Sequence, residues 1–165
     1  MNTKTLKRNT NLTNQHHLSG ATPDNSMSLK IEAISKNEAF ARSVVAAFCA
    51  GVNPTIEQLS DIKTAVSEAV TNSIVHGYNQ RGGTIEINAS LYARSVHIEI
   101  LDNGTGIIDI EAARKPFYTT RASEERSGMG FTVMESFMDE LAVESRNEGG
   151  LSVKMIKHFD IGEAI

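Results

Sequence analysis

A chain of 165 residues with 40% hydrophobic and 22% charged residues suffices for one domain with a proper core and is too short for two comfortable ones. Its net charge of −4 argues against bulk nucleic-acid binding, which needs a basic surface to displace counterions. The single Cys49 cannot close an internal disulfide and sits in the apolar run Val44–Cys49, which fits a buried, inert thiol in a reducing compartment. No stretch approaches the roughly 18 apolar residues of a membrane span, and no apolar run follows the N-terminal basic residues as a secretory signal requires. A cytoplasmic protein with one folded domain is expected.

Residues 1–28 predict a disordered polar leader. Ten of these 28 are Asn or Thr, none is Val, Ile, Phe or Tyr, and Lys4, Lys7 and Arg8 stand against Asp24 alone. Met27 offers an alternative start, and a docking arm is the functional alternative. The folded domain is expected over 29–165, opening on a half-buried strand, Leu29–Ile34. From Asn37 to Gly51 the residues Phe40, Val44 and Phe48 recur every four and predict an amphipathic helix with that stripe inward. Asn53-Pro54 predicts an N-cap and first-turn proline for a second helix running to about Gly77. Its core stripe is Leu59, Ile62, Val66, Val70 and Ser73, and Glu68, Asn72 and His76 form a second, polar stripe.

Two alternating segments, Thr84–Leu91 and Ser95–Leu101, predict a hairpin. The stretch from Gly104 to Arg126 has few apolar anchors and reads as a functional lid. A helix over Gly130–Glu140 carries Phe131, Met134, Phe137 and Met138 on one side. Leu141–Arg146 and Leu151–Lys157 make a closing hairpin. The expected fold is α+β: a two-layer sandwich of a mostly antiparallel mixed sheet with helices on one face.

Three stretches carry chemistry. In Ser67-Glu-Ala-Val-Thr-Asn72, Glu68 and Asn72 stand at i and i+4 of a helix. An amide oxygen suits Mg²⁺ that also touches phosphate, and a carboxylate one turn away can take a proton from a hydroxyl nucleophile. By itself that spacing also fits a solvated polar face. His76 reads as a cap or packing group.

In Asp102-Asn-Gly-Thr-Gly-Ile107, an acid at a strand end can accept from an exocyclic amino group such as that of adenine. Gly104 and Gly106 permit close approach and positive φ, although a plain Asp-x-Gly turn has the same signature. In Arg126-Ser-Gly-Met-Gly-Phe131, glycines precede a helix whose first N–H groups form a phosphate cradle. Arg126 can add a fixed charge there, or the stretch is a hinge with a solvated arginine. The sequence contains no P-loop, no zinc-ligand spacing and no Gly-x-Ser-x-Gly elbow. Together the three stretches suggest an ATP site of another kind.

With these residues in view, the chain resembles the Bergerat-type ATP-binding superfamily of DNA gyrase, the histidine kinases and MutL. Within it the chain is most similar to the anti-sigma-factor serine kinases, on the sporulation (sigma-F) side. The likeness rests on Asn37-Glu-Ala-Phe-Ala-Arg42, Ile62–Asn72, His76-Gly-Tyr78, Thr119-Thr120 and Glu125-Arg-Ser-Gly-Met-Gly-Phe-Thr-Val-Met-Glu135 with Phe137-Met-Asp139, and it runs from about Leu29 to His158. The resemblance implies Glu68 as the catalytic carboxylate, Asn72 as the Mg²⁺ ligand, and Asp102, Gly104 and Gly106 at adenine. It places Thr119 and Thr120 in an ATP lid, and Arg126, Gly128, Met129 and Gly130 on the phosphates. Arg42 would engage both a sigma factor of the sigma-F type and an antagonist protein phosphorylated on serine.

A homodimer that contacts neither nucleic acid nor membrane is implied too. Where the family ends its last turn Gly-Thr-Thr, this chain has Gly150-Leu151-Ser152, which removes one hydroxyl beside adenine. The family also normally begins near Met27. Three alternatives stay open: a stress-response (sigma-B type) kinase, a non-catalytic ATP-gated sigma-binding module, and a detached histidine-kinase catalytic domain. Against the last, the chain shows no dimerising hairpin with a phospho-accepting histidine.

Overall fold

The computed structural model describes residues 21–116 and 129–160. Alternating apolar residues build its sheet. In β2 (Thr84–Tyr92) and β3 (Ser95–Asp102), Ile85, Ile87, Ala89 and Leu91 are buried on the same face as Val96, Ile98 and Ile100, the period of a sheet covered on one side. The turn between them is shorter than expected, only Ala93-Arg94, because Tyr92 pairs with Ser95.

With β1 (Asn25–Glu32), β4 (Glu140–Ser145) and β5 (Leu151–His158), the strand order is β1-β2-β3-β5-β4. Every pairing is antiparallel. Fully burying one isoleucine is worth ~1.5–3 kcal/mol. A one-residue slip of β2 or β3 would turn several of them to solvent at once, so the hydrophobic pattern fixes the register.

β1 starts at Asn25, inside the segment expected as a leader. Asn25–Ser28 are held through the ladder to Leu91–Asn88, which needs only backbone groups, and Met27 adds a partly buried side chain packed against the core.

The helical layer comprises α1 (Lys36–Cys49), α2 (Ile56–Asn72) and α4 (Gly130–Phe137), with α1 and α4 both packed on α2. On α1 the buried row is Ala41, Val45, Ala46 and Cys49, whereas Phe40 is 51% exposed. The buried row is thus made of smaller side chains, with Phe48 of the large-residue stripe partly buried against the core. Cys49 is fully buried, and burial pushes its thiol up to about 12, as an inert core thiol requires.

The cap of α2 is Thr55 rather than Asn53. Thr55 Oγ1 accepts from the Gln58 N–H at 3.1 Å, and Gln58 Oε1 accepts from the Thr55 N–H at 2.9 Å, a complete capping box. Asn53 is left-handed, φ 51°, at the end of the preceding 3-10 turn, Ala50–Val52.

After Asn72 the helix widens into a π turn, Ser73–Gly77, with Tyr78 N–H donating to the Ser73 carbonyl at 2.9 Å. Within the segment expected as a lid, α3 (Ile110–Ala113) forms a single turn capped by Asp109. Among the described residues no helix is long and apolar enough to cross a membrane.

Candidate functional site

The strand period sets the first element of the site. β3 buries Val96, Ile98 and Ile100, and the next inward position is Asp102, 3% exposed. A buried carboxylate must be compensated. Asp102 Oδ2 accepts from Ser73 Oγ at 2.8 Å and Oδ1 from the Gly104 N–H at 2.9 Å. Ser73 is the first residue of the π turn, so widening the helix there puts a hydroxyl where the strand ends.

Glycines make that meeting possible. A Cβ on Gly77 would lie 3.2 Å from Asp102 Oδ1, and one on Gly104 would lie 2.3 Å from the Gly77 carbonyl oxygen. Gly104 is therefore small because backbone crosses backbone. Of the two glycines in this motif only Gly106 takes a positive φ, 70°. Thr105 secures the crossing, its N–H donating to the Gly77 carbonyl at 2.9 Å and its Oγ1 to the His76 carbonyl at 3.1 Å.

One residue before Ser73, α2 presents the polar pair. Glu68 and Asn72 share a face, and the first residue of α4 closes on them. A Cβ on Gly130 would stand 3.1 Å from Asn72 Nδ2, 3.2 Å from Asn72 Oδ1 and 3.3 Å from Glu68 Oε2. Without a Cβ the start of α4 sits directly against a carboxylate and a carboxamide, and the three together form a polar cradle. The donor set fits a nucleotide and a hard cation: an amide oxygen for the metal, helix N-terminal N–H groups for phosphate, and a fixed carboxylate for an amino group. Met129 is the residue that leads into α4.

Thus α2 and its π turn bring together Glu68, Asn72, Asp102, Gly104 and Gly130 from all three sequence stretches. Thr119, Thr120, Arg126 and Gly128 lie outside the described residues. Arg42 is elsewhere on α1, where Nη1 donates to Glu38 Oε1 at 3.1 Å, in an i,i+4 pair, and reaches Ser67 Oγ at 3.5 Å. Leu151 is buried at 5% exposure. Ser152 turns to the other face of the sheet and donates to Glu99 at 2.9 Å.

Sequence reasoning missed the residues that hold Asp102 in place. Ser73 was legible only as a core-stripe residue. Tyr78 Oη donates to the Thr84 carbonyl at 2.6 Å and accepts from the Asn103 N–H at 2.8 Å. Arg146 Nη1 donates to the Asp102 carbonyl at 2.8 Å and to Asn103 Oδ1. No linear pattern announces such partners.

The fold and this cradle define a nucleotide-binding domain of the ATP-using kind: residues 32–157 match the family described as histidine kinase-like ATPase domain. An anti-sigma F factor of Clostridium botulinum is 57% identical over 139 residues, 84% of this chain and 97% of that protein. One from Thermoanaerobacter is 56% identical over 135 residues, covering 82% and 94%. One from Anoxybacillus flavithermus is 49% identical over 142 residues, covering 86% and 97%. The chain belongs to the anti-sigma F factor family.

Among solved structures, the RsbU and RsbW domains of a Mycobacterium tuberculosis protein match with a TM-score of 0.60 at 18% identity, over 83% of this chain and 32% of that one. That likeness shows the fold.

Proposed function

We propose that the chain is an ATP-dependent protein-serine kinase that doubles as an anti-sigma factor. With ATP it holds a sporulation sigma factor of the sigma-F type inactive, as a homodimer. It releases that factor by turning to an antagonist protein, which it phosphorylates on serine. The observation that carries this reading is the cradle in which Gly130 faces Glu68 and Asn72 together. A merely solvated polar face would not need a Cβ-free residue packed against both groups.

The roles follow from the chemistry of each group. Asp102, already holding two hydrogen bonds, keeps acceptor capacity for the adenine amino group. Asn72 offers its amide oxygen to Mg²⁺, which neutralises charge on the phosphates when bound. Met129 and Gly130 bring the first N–H groups of α4 to those phosphates, and the resemblance assigns Arg126 and Gly128 to the same phosphates. Glu68 takes the proton of the serine hydroxyl as its oxygen bonds to the γ-phosphorus and ADP leaves. Thr119 and Thr120 belong to the lid over the nucleotide. Arg42, half-buried on α1, meets the sigma factor and the antagonist.

The test is reconstitution with Mg·[γ-³²P]ATP and the sigma factor and antagonist from the same genome. Label on an antagonist serine, together with ATP-dependent capture of sigma, is the expected result. ATP-dependent capture without label would leave a nucleotide-gated sigma-binding module. Capture of a stress-response sigma factor in preference to the sporulation factor would reassign the partner.

A further inference from the structure

We propose that Arg146 is a positioning residue for base recognition, holding the Asp102 carboxylate at the angle that selects an adenine amino group. The inference rests on the reading above that Asp102 faces adenine.

The β3–β5 register ends at Leu101 opposite Ser152, and Gly150, the residue before β5, takes φ 88°. A Cβ there would lie 2.0 Å from the Asp102 carbonyl oxygen, so the β5 chain passes tightly by that oxygen just beyond the register. On its other side Asp102 still pairs with Ile85 of β2. One edge of the residue is thus held by the sheet, and the other lies past the end of a ladder.

Arg146 completes the free edge. It comes from the residue after β4 and is fixed by its own turn: its N–H donates to the Gly150 carbonyl at 3.2 Å, and its carbonyl accepts from the Gly149 N–H at 3.1 Å. From that anchor Nη1 reaches the Asp102 carbonyl at 2.8 Å and the Asn103 side-chain oxygen. Tyr78 Oη meanwhile accepts from the Asn103 N–H at 2.8 Å. The peptide directly behind the carboxylate is gripped from both sides.

Ser73 and Gly104 fix where the two carboxylate oxygens sit, and Arg146 fixes the backbone they hang from. Without the guanidinium, the Asp102 carbonyl loses its donor and the strand end can rotate. A lysine, as a point donor, replaces one contact but not the pair.

The experiment measures Kd for ATP and for inosine triphosphate, which carries a carbonyl where adenine carries the amino group, in the full chain and its variants. The wild type is expected to prefer ATP by on the order of 10- to 100-fold, the worth of a hydrogen bond to a charged group. Asp102→Asn should abolish that preference. Arg146→Ala should reduce it about fivefold or more, with an unchanged Kd for inosine triphosphate and a loss in turnover that falls on KM for ATP rather than on kcat. Arg146→Lys and Asn103→Ala should fall between, and they serve if Arg146→Ala does not fold.

A full ATP preference in all three variants, with Asp102→Asn still losing it, would overturn the inference and leave the adenine reading standing. A wild type that binds both nucleotides equally would remove the adenine reading and this inference with it.

Discussion

Replacing Gly130 with alanine should move stability and activity in opposite directions. Gly130 opens α4, and its φ lies outside the left-handed region, so alanine meets no backbone strain and restricts the unfolded chain more than glycine does. Helix propensity and chain entropy together predict a change between zero and about 1 kcal/mol of added stability. The new methyl, however, would stand 3.1 to 3.3 Å from Asn72 Nδ2, Asn72 Oδ1 and Glu68 Oε2, closer than carbon normally sits to such atoms.

One of the polar side chains must retreat by a few tenths of an ångström. A misplacement of about 1 Å at a reacting centre costs roughly 100-fold. A shift of this size should therefore cost about tenfold in phosphoryl transfer, or about 1.4 kcal/mol of barrier. Urea melts and transfer of labelled γ-phosphate to the antagonist serine, on the same preparation, read both effects. Undiminished transfer would refute the cradle. A loss of stability greater than about 1 kcal/mol would place the effect in the fold instead.

Ser73→Ala removes one of two described donors to a carboxylate that is 3% exposed, and urea denaturation should show a loss of about 1.5–3 kcal/mol; a loss under about 0.5 kcal/mol would mean Asp102 is held otherwise. Arg42→Ala breaks an ion pair whose arginine side chain is 42% exposed, so stability should move by no more than about 0.5 kcal/mol while sigma-factor affinity drops about tenfold or more. Equal sigma binding by variant and wild type would remove Arg42 from the interface.

Burial is the main cause that lowers His97, with His158 adding to it and Glu140 opposing. Its neutral form is favoured in the fold, so its contribution is present above the unfolded value near 6.5 and is lost as pH falls through the lower folded value. Wild type should lose more stability than His97→Gln between pH 7 and pH 5. Parallel curves would contradict that assignment.

What the sequence revealed divides along the range of the interaction. Period-two alternation located β2 and β3 and carried the eye to Asp102, because strand patterning is a property of neighbours along the chain. The i,i+4 spacing likewise put Glu68 and Asn72 on one face. On α1 patterning located the helix but selected Phe40, Val44 and Phe48 for their size, of which Phe48 packs against the core and Phe40 is exposed. The fully buried row is the adjoining one of smaller side chains, Ala41, Val45 and Cys49.

Asn53-Pro54 resembled a cap, yet the reciprocal bonds belong to Thr55 and Gln58. Nothing local signals the π turn, nor the convergence of Ser73, Tyr78 and Arg146 on Asp102 and Asn103 from separate elements. Those contacts exist only once the sheet is assembled.

The most direct test of the account is Glu68→Gln. The substitution keeps size and shape and removes the basic oxygen that would take the serine proton. ATP affinity by calorimetry should stay within about twofold, and single-turnover transfer to the antagonist serine should fall by about 100-fold or more. Transfer at the wild-type rate would contradict the role of Glu68 and, with it, the reading of the cradle as a kinase site.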